Sequence, residues 1–229
     1  MRRVGHKGAD LIAPGNTAES FEAALAAGVD MIEFDVVRLR DRRLVLAHDW
    51  EDAAAREPLT LEEGLDLFAG EAYAGVELDV DLKLPGFERE VMDGLAERGL
   101  VDRSLVSTQY VESLDRIGEI TPGARRGWSV PKVRRDYTKG PLAPFAYGVA
   151  RVMRARLPAQ AQAMLRAGRC EAVMAHWILV SPRLVESVRG AGGETYVWTV
   201  DNPRRIAAFE RMGVDGVITN DPRLFAPVT

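Results

Sequence analysis

The sequence predicts a single (β/α)8 TIM barrel of the α/β class, and three observations carry the prediction. Short β-rich runs alternate with helical patterns along the whole chain, as a parallel sheet covered by helices requires. Eight such strands fall within 229 residues, a length that suits a barrel better than an open sheet. Nothing reads as a linker or a low-complexity block, so one domain over residues 1–229 is expected.

The first strand is expected at 3–6 and the first helix at 17–27, where Thr17, with Ser20 and Glu22 nearby, suits a helix start. A second strand follows at 31–37, and 44–47 reads as a short extra strand that delivers His48. Thr60 and Glu63 have capping-box spacing before a helix at 61–68. The third barrel strand, 76–83, alternates Val76, Leu78, Val80 and Leu82 with Glu77, Asp79, Asp81 and Lys83. Helices outside a barrel demand the apolar face, so the charged face should point inward. The remaining strands are expected at 104–109, 126–130, 172–178, 194–200 and 216–219. The remaining helices are expected at 87–98, 111–120, 141–167, 182–189 and 203–212. Gly28, Gly70, Gly99 and Gly213 each follow a helical pattern, as C′ glycines do. The loosest stretch is 131–158, rich in Pro, Arg and Lys.

Composition narrows the classes. Hydrophobic residues make up 47% and charged residues 28%, an ordinary globular balance. A net charge of −4 and a pI near 5.5 argue against a nucleic-acid binder. The lone cysteine, Cys170, rules out an intrachain disulfide framework and fits a reducing compartment. No charged-then-apolar leader precedes the first strand, and no apolar run has bilayer length. The cytoplasm is therefore the expected compartment. The sequence is silent on oligomeric state.

Two of the three histidines, His6 and His48, bracket the acidic pair Glu33 and Asp35. Active sites of these barrels sit at the C-terminal ends of the strands. His6 ends strand one, and Glu33 and Asp35 lie late in strand two with Phe34 facing the other way. Two inward carboxylates in a packed interior need compensation, which a hard cation with oxygen ligands, Mg²⁺ or Ca²⁺, provides. Asp81 and Lys83 join this site from strand three, with Asp79 a layer deeper and Glu77 near the opposite rim. Two imidazoles around such a cation point to acid–base chemistry. His176 reads as structural, and Cys170 has no partner that would make it a nucleophile.

These residues resemble the glycerophosphodiester phosphodiesterase family of the phosphatidylinositol-phosphodiesterase-like barrel superfamily. The resemblance rests on His6-Lys7, Pro14-Gly15-Asn16-Thr17, Glu33-Phe34-Asp35, His48-Asp49 and Asp81-Leu82-Lys83. Val197-Trp198-Thr199-Val200 and the run from Gly213 to Pro222 match the family's closing motifs. The resemblance implies metal-dependent hydrolysis of a glycerophosphodiester to an alcohol and glycerol 3-phosphate. It implies His6 and His48 as general acid and base, with Glu33, Asp35 and Asp81 on one Mg²⁺ or Ca²⁺. It implies contact of Lys7, Asn16, Lys83 and Trp198 with the substrate.

Three positions depart from the family pattern: Lys7 stands for arginine, Gly15 for glutamate and Asp81 for glutamate. Most of the insertion after the second histidine is missing, which makes this a compact member. A minimal barrel of this kind also resembles sphingomyelinase-D and lysophospholipase-D enzymes. That keeps a phospholipase-D-like reaction on a lysophospholipid or sphingolipid as an alternative. A degenerate barrel that binds a phosphorylated ligand is a further one. The expected partner is a small or lipid-derived phosphodiester, without nucleic acid. Residues 144–156 mix bulky apolar residues with arginine, after Arg134, Arg135 and Lys139. An ordinary barrel helix is the favoured reading there, and contact with a membrane surface is the other.

Overall fold

The structure, a computed structural model, describes residues 1–132 and 143–225, with the backbone alone at 143–147. Strand β1 is Arg2–Gly5, β2 Met31–Arg38, β3 Leu44–Leu46, β4 Glu77–Leu82 and β5 Ser104–Thr108. They are followed by β6 Arg125–Val130, β7 Ala172–His176, β8 Glu194–Trp198 and β9 Gly216–Thr219. All pair in parallel except β3, which runs antiparallel to the end of β2. β1 pairs with both β9 and β2, so eight parallel strands close into a (β/α)8 barrel with β3 as an outrigger. The helices are α1 Ala18–Ala26, α2 Trp50–Ala55, α3 Leu61–Ala69, α4 Glu88–Glu97, α5 Val111–Ile120, α6 Ala143–Arg166, α7 Pro182–Arg189 and α8 Pro203–Met212.

Local chemistry explains the boundaries. Thr17 and Ser20 form a capping box at α1, and Thr60 and Glu63 form one at α3; each is worth about 1 kcal/mol. Gly28, Gly99 and Gly213 adopt left-handed backbone after their helices. Gly70 does not: it ends α3 in extended backbone, because a 3₁₀ turn at Glu71–Tyr73 follows at once. Helix α2 adds to the elements expected from the sequence, which places none between 47 and 61. Asp49 nucleates it by accepting from the N–H groups of Glu51 and Asp52. Arg134, Arg135, Lys139 and the start of the helix expected from residue 141 lie outside the described residues.

Strand β4 behaves as its alternation demands. Leu78, Val80 and Leu82 pack outward under the helices, while Asp79 and Asp81 face the barrel interior beside Glu33 and Asp35 of β2. Two outer clusters bury the helices, one running from Ala9 to Ala124 and the other drawn mainly from the second half of the chain. A smaller inner cluster of Val4, Met31, Leu105, Met174, Tyr196 and Ile218 fills the barrel. Below it, at the N-terminal ends of alternate strands, Arg2, Glu77, Arg125 and Glu194 form a closed ring of ion pairs. Its four links are 2.7 to 3.0 Å long. A barrel layer takes four side chains from alternate strands, and this layer is ionic rather than aliphatic. No helix among the described residues is long and apolar enough to cross a membrane.

Candidate active site

The C-terminal ends of β1, β2 and β4 bring the acidic residues together. Glu33, Asp35 and Asp81 each offer an oxygen, and these atoms all lie within 4.8 Å of one another. Glu33 and Asp35 are buried, and Asp81 is half-buried. Three convergent carboxylates are an all-oxygen donor set suited to Mg²⁺ or Ca²⁺. Lys83 sits against them, ion-paired to Asp35 at 2.5 Å and to Asp81.

The charges sort themselves accordingly. Burial alone would raise Asp35, but the neighbouring charges, that of Lys83 foremost, outweigh it and hold this carboxyl well below the usual range. Burial, then the repulsion of Asp35, pushes Glu33 well up. Burial also pushes Asp79, a layer deeper, to about 7. Burial works against the Lys83 ammonium, yet Asp35, Asp81 and Glu33 more than restore its charge.

His6 follows β1 directly. Its Nδ1–H donates to Asn220 Oδ1 at 2.5 Å, and its Nε2 lies 3.8 Å from Glu33. Asn220 is in turn fixed by Asp201, which accepts from its side-chain Nδ2 at 2.6 Å and its backbone N–H at 2.8 Å. A carboxylate only accepts, so Asp201 sets the orientation of the amide and thereby the tautomer of His6. Burial holds the His6 imidazole down, to about 4, so at neutral pH it is uncharged with its Nε2 lone pair toward the acids.

His48 follows β3 and is half-exposed. Its Nδ1–H donates to Asp49 at 2.9 Å. His48 and Lys7 share a polar cleft of about 480 Å³ with Asp10, Gly15, Asp49 and Arg56, within the usual size for small-molecule sites. A second cavity of about 250 Å³, between β5, β6 and α6, contains none of these residues.

Lys7 and Asn16 both adopt left-handed backbone, at φ of 50° and 59°. Such conformations in non-glycine residues cost energy and gather at functional sites. The Lys7 N–H donates to Glu33 at 2.7 Å, and its ammonium pairs with Asp10 at 3.3 Å. Burial opposes the Lys7 charge, but Asp35, Asp10 and Glu33 raise it above the ordinary value. Asn16 is fully buried. Its amide donates to Asp35 and accepts the Asp35 N–H, both at 2.9 Å. Its side chain therefore holds Asp35 in place. Gly15 closes this corner, because a Cβ there would lie 2.5 Å from Asp10 Oδ1 and 2.8 Å from Lys7 Cβ.

Trp198 is half-buried at the end of β8, donates its indole N–H to Met174 O at 2.8 Å and meets His176 edge-on at 5.2 Å. It packs on the inner cluster and roofs it. Cys170 is buried, and burial pushes its thiol to about 12, which leaves it inert. Sequence reasoning missed Asp201 and Asn220, because both sit in closing loops with no charge pattern of their own.

The profile of the glycerophosphoryl diester phosphodiesterase family matches residues 6–63 and 99–224. A glycerophosphodiester phosphodiesterase from Caldanaerobacter subterraneus subsp. tengcongensis is 25% identical, over 96% of this chain and 93% of its own. Solved structures share the fold. A glycerophosphodiester phosphodiesterase from Parabacteroides distasonis superposes with a TM-score of 0.73 at 18% identity, covering 96% of this chain and 92% of its own. An Oleispira antarctica phosphodiesterase, solved with the product sn-glycerol-3-phosphate, gives 0.70 at 18% identity over 97% and 94%.

Proposed function

This chain belongs to the glycerophosphoryl diester phosphodiesterase family, and from that premise we propose that it hydrolyses a glycerophosphodiester to an alcohol and glycerol 3-phosphate. The observation that carries the reading is the pairing of two differently held histidines around one acidic cluster. His6, uncharged and pinned through Nδ1 to Asn220, has Nε2 to accept a proton from the attacking water, whose oxygen bonds to phosphorus as the bond to the alcohol breaks. His48, held through Nδ1 by Asp49 at the edge of the cleft, delivers a proton from Nε2 to the leaving alkoxide. Its exposure lets solvent reload it. A Mg²⁺ or Ca²⁺ ion on Glu33, Asp35 and Asp81 supplies, when bound, positive charge against the phosphate oxygens. Lys7 and Lys83 keep their own charges beside the same oxygens, and Asn16 keeps Asp35 in register. Trp198 borders the mouth on the β8 side. We place the reaction in the cytoplasm, in keeping with a single buried thiol.

The test is alcohol release from glycerophosphocholine and from lysophosphatidylcholine, side by side, with Mg²⁺, with Ca²⁺ and with EDTA. Release from the small substrate that stops in EDTA is the expected result. His6→Ala and His48→Ala should each cost about 10²- to 10⁴-fold in kcat, the usual worth of a proton-transfer group. Release from the lipid alone would transfer the reading to the phospholipase-D-like reaction. Full activity in both histidine variants would end the acid–base assignment.

A further inference from the structure

Helix α6 is 24 residues long, whereas the other helices that cover the barrel have 8 to 10. At 1.5 Å per residue it runs about 36 Å, more than twice its neighbours. Its second half covers the barrel, where Leu157, Ala161 and Leu165 are buried. The buried, helix-interior Pro158 lies where that half begins. The first half therefore rises past the catalytic rim as an arm. Its inner edge, Ala150 and Met153, rests on the second outer cluster. Arg154 donates to the Ile178 carbonyl, in the turn after β7, at 3.1 Å.

The outer edge of the arm combines apolar and cationic side chains. Val149 and Val152 are 43% and 51% exposed, beside exposed Arg151, Arg154 and Arg156. The helix contains no acidic residue, in a chain whose net charge is −4. The neighbouring helix starts continue the pattern. Acids occupy the first turns of α1 to α5, as the helix dipole favours. The first turns of α7 and α8 have none and carry exposed Arg183, Arg204 and Arg205 against the dipole. Arg205 stacks over Trp177 at 3.9 Å. Among the described residues, the helix starts of the β6–β8 sector are thus cationic, with exposed valines on the arm beside them.

We propose that this sector docks on an anionic phospholipid surface, with the arm of α6 lying along it. Arginine heads paired with lipid phosphates and valines at the headgroup boundary are the complement of such a surface. A barrel seated this way brings its catalytic face to the membrane from which phosphodiesters are shed. Docking is read without turnover, so its failure and that of the hydrolase reading are separable.

The test is co-sedimentation at low salt with vesicles of phosphatidylglycerol and phosphatidylcholine in equal parts, against phosphatidylcholine alone. Pelleting with the mixed vesicles only, reversed by high salt, is expected. Arg151→Gln and Arg156→Gln should weaken partitioning about fivefold each and about thirtyfold together. Arg183→Gln with Arg204→Gln, on other helices, should weaken it similarly, and turnover of soluble glycerophosphocholine should not change in any of these variants. No pelleting, equal pelleting with both vesicles, or equal pelleting of the variants would overturn the proposal. So would dimers in sedimentation velocity that Val152→Asp abolishes, because a second copy of the chain would then cover the arm.

Discussion

Replacing Lys83 with methionine tests the electrostatics on which the site depends. The Lys83 ammonium lies 2.5 Å from fully buried Asp35 and also pairs with Asp81. Methionine keeps the unbranched bulk and deletes the charge. Glu33, Asp35 and Asp81, with oxygens all within 4.8 Å, are then left without their nearest cation. Removing one partner of a buried ion pair costs about 3–5 kcal/mol. In a chain of this size 1 kcal/mol moves Tm by about 2–4 °C, so Tm in EDTA should fall by roughly 6–20 °C. A divalent cation at a hundred times its Kd returns about 2.7 kcal/mol, and it binds more tightly once Lys83 no longer competes for the carboxylates. The assay is thermal unfolding by circular dichroism in EDTA and across Mg²⁺ and Ca²⁺ titrations. A variant that melts with the wild type in EDTA, and gains no more from the cations, would refute the assignment of Lys83 as the resident counter-charge.

Three further outcomes follow from the geometry. Asp201→Ala frees the Asn220 amide and with it the ring of His6, so kcat for glycerophosphocholine should fall by about 10²-fold while KM holds; steady-state kinetics with a Tm control reads this. Burial pushes Asp79 to about 7, from an ordinary value of 3.8, so the folded state holds the extra proton between those values and wild-type stability declines as pH rises through that window. Asp79→Asn should therefore gain in unfolding free energy relative to the wild type at pH 8 but not at pH 4, by up to roughly 4 kcal/mol, read by chemical denaturation; equal offsets at both would show that Asp79 does not titrate in this window. Gly15→Glu restores the family residue but drives a side chain into Asp10 and Lys7, so it should lower activity, and a rise in kcat/KM would show that the corner can open.

The barrel was legible because its strands carry their own signal. The unbroken alternation of 76–83 makes sense only with charges inward, and β4 places Asp79 and Asp81 there. His6, Glu33, Asp35, His48, Asp81 and Lys83 were readable because strand ends in a barrel converge by construction. What escaped depends on side-chain rotamers across the mouth. Asn16 stands in a motif beside Lys7, yet its positive φ turns the amide down onto Asp35. Asp201 and Asn220 are 19 residues apart and meet His6 only through closure of β9 against β1. Helix α2 has six residues, too short for periodicity, and exists because Asp49 caps it while holding His48. The extension of α6 was visible as length, but its meaning required knowing where the barrel rim lies.

The ionic ring at the floor of the barrel divides in an instructive way. Arg2 and Glu77 belong to the half of the chain packed in the first outer cluster, Arg125 and Glu194 to the half packed in the second. Each half thus contributes one positive and one negative member, and the two remaining links, Arg2 to Glu194 and Arg125 to Glu77, cross the seam. A chain cut at Gly123, a left-handed turn glycine between α5 and β6, would yield two electrically balanced fragments at the floor. Each fragment would retain most of its own apolar shell and lack the inner cluster, the crossing links and the β1–β9 and β5–β6 strand pairings. Fragments with that character are suited to find each other and reassemble, and the groups of the proposed site would reunite with them: His6, Glu33, Asp35, His48 and Asp81 on one piece, the positioning residues Asp201 and Asn220 on the other. Recovered turnover would then report the meeting of two polypeptides.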